Sequence, residues 1–182
     1  MNRGDRLLDE LRAYEPADAA ESAHREAMLA LLTNGDDAFS RAHFTPGHIT
    51  ASCYVIDDAQ RLLLHHHRRL DRWLQMGGHV DAGEDSRVAA LREGREESGL
   101  NDLALAHDGI FDLDVHAIPA GKGEPPHLHF DVRYFAATRT PDAIAFDANE
   151  SKDLAWLPLD RAEALIDEEA GSRVIRKIRS RQ

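Results

Sequence analysis

Strict alternation of apolar and polar residues runs through His127-Leu128-His129-Phe130-Asp131-Val132-Arg133-Tyr134-Phe135 and predicts a β-strand. Leu128, Phe130, Val132 and Tyr134 fall on its core side; His127, His129, Asp131 and Arg133 share the opposite face. Runs rich in β-formers predict further strands at His48–Ile56, Arg61–His67, Leu103–His107, Ile110–His116 and Leu154–Leu157. Asp57-Asp58 turns the first of these back on the second as a hairpin. Helical periodicity marks Arg6 to about Leu32, broken by Pro16, with Leu7, Leu8 and Leu11 on one face of the first piece. The second piece carries Ala20, Ala27, Leu29 and Leu32 and stops at Asn34-Gly35, and a helical tail begins at Asp160. A further helix follows a glycine-rich loop, is capped by Asp85 or Ser86 and ends at Ser98-Gly99, with Val88 and Leu91 as its apolar side. Mixed strands with helices between and outside them predict an α/β fold, an α/β/α sandwich.

At 182 residues the chain suits one sizeable core. The first residues contain no apolar stretch of signal-peptide length, and no run approaches membrane-spanning length, so no membrane partner is expected. A single cysteine, Cys53, permits no internal disulfide, in keeping with a cytoplasmic location. The formal charge of −11 argues against binding nucleic-acid polymers, and a phosphate ligand would need local positive charge. The basic residues Arg173, Arg176, Lys177, Arg179 and Arg181 are read as complements to helix C-terminal dipoles.

Candidate chemistry concentrates in one helix. Glu93, Glu96 and Glu97 project from one side of it with Arg92 beside Glu96, and such carboxylates repel unless a positive charge sits among them. Hard oxygen donors of this kind suit Mg²⁺ or Mn²⁺. The residues Gly78, Glu84, Arg92, Glu93, Glu96, Glu97, Gly99 and Leu100 match the gapped pattern G-x5-E-x7-R-E-U-x-E-E-x-G-U, where U is a bulky apolar residue. The first U is replaced by Gly94, which costs about 1 kcal/mol relative to alanine in a helix and puts local packing in question. Met76 precedes the paired glycines, where the family that this segment resembles commonly carries a proline. This segment resembles the Nudix box, and the chain resembles a Nudix hydrolase over roughly Thr45 to Glu168. The corresponding division is an N-terminal helical extension, 1–44, and a Nudix domain, 45–182. Extra core cover is the favoured role for the extension over a dimer contact or a wall of the site.

The resemblance implies a metal-dependent pyrophosphohydrolase, MutT-like, cleaving a diphosphate linkage in a nucleoside diphosphate derivative or related small molecule with Mg²⁺ or Mn²⁺ as cofactor. Glu96, Glu97, Glu93 and the Gly78 carbonyl are the implied metal ligands. Glu93 is also a candidate base, Arg92 the orienting arginine and Glu84 a structural anchor. Glu150, before the late strand, is the other candidate for the water-activating base. A homodimer is common in such proteins. Two alternatives stand beside this reading: a non-catalytic module sensing a nucleotide sugar or dinucleotide, and an isopentenyl-diphosphate isomerase-like enzyme. The intact carboxylate set favours catalysis over sensing.

The polar face of the alternating strand adds a substrate-binding expectation. Arg133 is expected to grip a phosphate bidentately and Asp131 to orient a histidine. The competing expectation is the solvent side of an edge strand. His-x-His is metal-ligand spacing on a strand, but no third histidine can be assigned, which favours a phosphate-contacting surface over a zinc site. In His65-His66-His67 the outer two face one way and His66 the other, so the run reads as histidines at an exposed strand end.

Overall fold

A computed structural model describes residues 2–34, 37–121, 123–146, 149 and 151–181. Its spine is a parallel pair. Strand β1 (Gly47–Ile56) runs beside β7 (His127–Ala137), in register from Gly47 opposite Leu128 to Ile56 opposite Ala137. Strand β4 (Met76–His79) pairs antiparallel with the first half of β1, and β2 (Leu62–His67) with its last residues. Strands β3 (Arg72–Leu74) and β8 (Ser151–Leu157) flank β2, while β5 (Ala104–Leu105) and β6 (Asp112–Ile118) pair with β7. The sheet is therefore mixed, as the sequence predicts, although the strand expected at Leu103–His107 shrinks to two residues. The strand 127–137 lies between β1 and β6, so its polar face is not an edge-strand solvent face.

Every residue of β1 is buried, and its two faces serve different cores. Ile49, Ala51, Cys53 and Val55 join Phe130, Val132 and Tyr134 of β7 under helices α1 (Arg3–Ala13), α2 (Ala19–Thr33) and α3 (Ser86–Ser98). Tyr54 and Ile56 join Phe135, Val174, Ile175 and Ile178 under α4 (Leu159–Ile166) and α5 (Glu169–Arg179). Helices thus cover both sides, and an α/β/α arrangement follows from alternating side chains on strands buried on both faces.

The N-terminal helices bury Leu7, Leu11, Met28 and Leu31 in the first core, which makes them cover rather than appendage. Asn2 and Asp18 cap them by accepting backbone N–H groups of Asp5 and Glu21. The helix end expected at Asn34-Gly35 is seen at Asn34; Gly35 lies outside the described residues. Glu21, fully buried, accepts from Tyr14 Oη, Leu113 N and Lys177 Nζ, tying the extension to β6 and α5.

That network corrects the reading of the C-terminal basic cluster. Arg173 is buried against Asp112 (Nε to Oδ2 2.8 Å), and Lys177 donates to the same carboxylate at 2.8 Å. These two cations satisfy interior carboxylates rather than a helix dipole. The amphipathic period of α5 places them on the inner face beside Val174 and Ile178.

Helix α3 also packs differently from the expectation. Val88 is exposed, and the buried stripe consists of Ser86, Ala89, Ala90, Gly94 and Ser98. Small residues let the helix axis approach β1. At Gly94 a Cβ would stand 3.0 Å from Leu103 Cδ1 and 3.6 Å from Cys53, which accounts for the missing bulky side chain. Gly94→Leu is expected to destabilise the protein by about 1–3 kcal/mol through overpacking, read as a lower urea midpoint. An unchanged midpoint would show that α3 can shift outward freely.

Candidate active site

Asp85 caps α3 by accepting Val88 N–H at 2.9 Å, and Gly99 closes it in the left-handed conformation (φ 75°). Between these caps the helix presents Arg92 to four partners. Its Nε donates to Glu84 at 3.0 Å, its Nη1 to Glu93 at 2.8 Å and Glu96 at 3.1 Å, and its Nη2 to the His79 carbonyl at 3.0 Å. The arginine therefore locks the loop after β4 to the helix and spaces the carboxylates. Glu84 anchors the arginine, with a carboxyl held below its usual range by the Arg92 hydrogen bond.

The two glycines of β4 make close approach possible. A Cβ on Gly78 would lie 2.5 Å from Glu93 Oε1, and one on Gly77 would lie 2.5 Å from Ser52 Cβ. Glu93 is half-buried beneath Gly78, and burial pushes its carboxyl pKa up against the opposing pull of Arg92. Glu97 accepts the Gly77 N–H at 2.8 Å and lines the adjoining cleft, while Glu96 is exposed at the rim. Arg92 brings one positive charge to Glu84, Glu93 and Glu96, leaving a local excess of negative charge. Clustered carboxylates beside a glycine backbone are a donor set that fits a hard divalent cation such as Mg²⁺ or Mn²⁺.

The cleft, about 350 Å³, is floored by the face of β1 and β7 that is apolar further along. On β1 that face changes from Tyr54 and Ile56 to Ser52, Thr50 and His48; on β7 it changes from Phe135 to Arg133, Asp131, His129 and His127. Parallel register sets His48 beside His129 and Thr50 beside Asp131, while antiparallel register sets His79 on the other side of Thr50. Three adjacent strands thereby bring His48, His79 and His129 together, with one nitrogen from each within 4.8 Å of the others. His129 thus meets two histidines that sequence spacing did not assign, from β1 and β4, and His127, the other member of the His-x-His pair, is not one of the three. Polar residues at alternate positions of an otherwise apolar β1 are the signal that could have found His48.

Burial shifts these imidazoles. His79 is pushed down to about 4 by desolvation and by Arg41, and His129 to about 2 by desolvation and by His116. His48 is lowered as well, chiefly by burial. His116 moves the other way: burial opposes its charge, but Asp114, 2.9 Å away, and Asp131 raise its pKa. At neutral pH the first three are uncharged rings, poor at attracting phosphate.

The four residues predicted to contact substrate separate. His127, His129 and Asp131 line the cleft. Asp131 orients no histidine; its oxygens accept from Thr50 (3.2 Å), Ser52 (2.8 Å) and Arg133 Nε (3.0 Å). Arg133 is buried, and its remaining nitrogens go to Asp112 (3.4 Å) and Asp114 (2.9 Å), so its fork is consumed internally and does not face the cleft. Nor is the histidine run an exposed strand end. His65 is buried on Ser151 Oγ at 2.9 Å and lines the cleft with His67, whereas His66 stacks on Trp73 at 5.1 Å on the opposite side. Glu150 lies outside the described residues.

Comparison with known proteins agrees with the box. The model of the NUDIX domain matches residues 46–178. A CMP-5'-(N-acetyl-N-hydroxy-3-aminopropyl)phosphonate hydrolase of Streptomyces rubellomurinus is 31% identical over 128 residues, 68% of this chain and 58% of that protein. A Bacillus subtilis protein named as an 8-oxo-dGTP diphosphatase is 27% identical over 103 residues, 57% of this chain and 61% of its own. The chain thus spans about six tenths of the length of these curated relatives. Among solved structures, a Nudix-family hydrolase from Clostridium perfringens aligns with a TM-score of 0.56 at 26% identity, covering 74% of this chain and 98% of that one. The Caenorhabditis elegans Ap4A hydrolase shares the fold, with a TM-score of 0.58 at 24% identity and coverage of 72% and 95%.

The corrected role of Arg133 is measurable. Arg133→Met leaves Asp112, Asp114 and Asp131 buried without it and is expected to cost about 3–5 kcal/mol in chemical denaturation. Against the opposing effect of burial, Arg173 and then Arg133 hold Asp112, and His116 and then Arg133 hold Asp114, below the ordinary carboxylate range. That stabilisation is present above the unfolded carboxyl pKa and is lost as pH falls through the depressed folded values, so the gap between variant and parent should narrow in strong acid. A folded variant of parental stability with weaker substrate affinity would restore the phosphate-gripping role.

Proposed function

The chain belongs to the Nudix family, and from that premise we propose that it is a metal-dependent pyrophosphohydrolase acting on a nucleoside diphosphate derivative. The carrying observation is the Arg92 clamp, which holds Glu93 and Glu96 beside strand β4, whose Gly77 N–H fixes Glu97 at the cleft wall. A sensing module has no need of carboxylates spaced at this cost.

The chain's own residues divide the work. Glu93, Glu96, Glu97 and the Gly78 carbonyl would hold the metal; Arg92 positions the carboxylates. A bound Mg²⁺ or Mn²⁺ supplies positive charge against the phosphoryl oxygens of a water-driven displacement. Glu93, with its carboxyl pKa raised by burial, can accept a proton if it is not committed as a ligand. Glu150 is the other proton acceptor and, by its position before β8, the one we favour. Thr50, Ser52 and the uncharged rings of His79 and His129 give the remainder of the substrate a polar surface on the cleft lining.

The names of the relatives point to nucleotide-linked compounds, so the substrate test is a panel of ADP-ribose, diadenosine tetraphosphate, an oxidised deoxynucleoside triphosphate, coenzyme A and a CMP-linked phosphonate. Each is assayed with Mg²⁺ and with Mn²⁺ and its products separated. Glu97→Gln, which keeps shape but removes a negative ligand, is expected to abolish turnover of the best substrate while circular dichroism stays parental. Parental rates in that variant would sink the assignment. Glu150→Gln is expected to lower turnover by about 10²–10⁴-fold with Mn²⁺ binding retained in calorimetry. Unaffected turnover would move the proton-accepting role to Glu93.

A further inference from the structure

The histidines of the cleft floor are more than the carboxylate chemistry requires. His48, His79 and His129 each offer a nitrogen within 4.8 Å of the others, and their ring centroids lie 4.9–5.5 Å apart. Two of the three tautomers are set by hydrogen bonds outside the trio. His48 Nδ1 is 3.2 Å from the His43 carbonyl, which only an N–H can satisfy, so its Nε2 carries the lone pair. That Nε2 is buried and has no hydrogen-bond partner among the described residues. An unmet buried acceptor is destabilising, and stacked rings alone give no reason to place it there.

A similar relay supports His129. His127 donates from Nδ1 to the Pro125 carbonyl at 2.9 Å, leaving its Nε2 as an acceptor 3.3 Å from His129 Nε2. His129 then donates from Nε2 and keeps its lone pair on Nδ1. The third ring is anchored by its backbone, since the His79 carbonyl accepts from Arg92. Outer hydrogen bonds that fix ring orientation and leave one free nitrogen are the usual support of metal-bound imidazoles. His48 lies beneath, whereas His79 and His129 line the cleft, so the trio is open on the substrate side. Arg41 and Glu124, 3.6 Å apart on the cleft lining, offset each other's charge.

We propose that His48, His79 and His129 form a tris-imidazole site for a borderline transition-metal ion of the Zn²⁺ type, within the substrate cleft and separate from the carboxylate site of α3. Neutral imidazoles select Zn²⁺, Ni²⁺ or Co²⁺ over Mg²⁺, which prefers carboxylate and water. Three protein ligands with an open fourth position leave room for water or a donor atom of the substrate. Tetrahedral Zn²⁺, with Zn–N of about 2.0–2.1 Å, spaces its nitrogens about 3.4 Å apart, so binding draws the rings inward by roughly an ångström.

The test needs no turnover and is therefore independent of the proposed activity. Chelator-treated protein in excess Mg²⁺ is titrated with Co²⁺, whose visible absorption distinguishes tetrahedral from octahedral coordination, and then with Zn²⁺ as competitor. The parent and Glu97→Gln are expected to show a tetrahedral band saturating at about one equivalent and displaced by Zn²⁺. His48→Ala and His129→Ala, checked by circular dichroism, are expected to lose affinity by more than the roughly 10–100-fold that loss of a supporting hydrogen bond causes. Three results overturn the site: an octahedral spectrum in the parent, loss of the band in Glu97→Gln, or its persistence in folded histidine variants. If a histidine variant does not fold, the parent and Glu97→Gln spectra decide the matter.

Discussion

Parallel pairing of β1 with β7 is the constraint on which the rest depends. Both strands are long, both are buried on two faces for most of their length, and their register is unbroken from Gly47 to Ile56. Slipping one strand by one residue would turn Ile49, Ala51 and Cys53 toward the cleft and His48, Thr50 and Ser52 into the helix-covered core. The apolar face alone forbids that. Fixing the apolar face simultaneously fixes which polar groups meet, so the cleft floor follows from the packing of the core behind it.

That floor brings charge into the interior, where it has to be balanced by neighbours. Asp112, Asp114 and Asp131 surround Arg133, and Asp112 is shared with Arg173 and Lys177 from α5. Such a network is rarely more stabilising than apolar packing of equal volume, but removing one member strands the others. Lys177 also meets Glu21 of α2, so the same ion network links the N-terminal helices, the sheet and the last helix. The extension is consequently bonded to the layer that supports the cleft floor.

The box and the core alternation were legible in the sequence because both rest on local spacing. Residues along one helix or one strand project at fixed intervals, so Arg92 beside Glu96 and Phe130 beside Val132 needed no knowledge of tertiary structure. The errors arose where a partner came from elsewhere in the chain. Arg133 looks like a phosphate ligand until Asp112 and Asp114 arrive from β6. Val88 looks like a core residue until the approach of α3 to β1 selects the small stripe through Ala89, Ala90 and Gly94 instead. His129 likewise lacked its companions because His48 and His79 lie on strands separated from it by long stretches of sequence, and sheet order brings them together.

The meeting of carboxylates and imidazoles in one cleft is a problem of selectivity as well as of geometry. Divalent transition ions generally outbind Mg²⁺ at nitrogen donors, whereas abundant Mg²⁺ can hold a carboxylate site that keeps its waters. Donor type therefore separates two ions more sharply than distance would. His79 sits next to Gly78 in β4, and its carbonyl is held by the arginine that also holds Glu93 and Glu96. A change in the Arg92 clamp would thus move both donor sets together, the carboxylates through their side chains and the imidazole through its backbone. The two chemistries share one mechanical support, and that support is the arginine of the box.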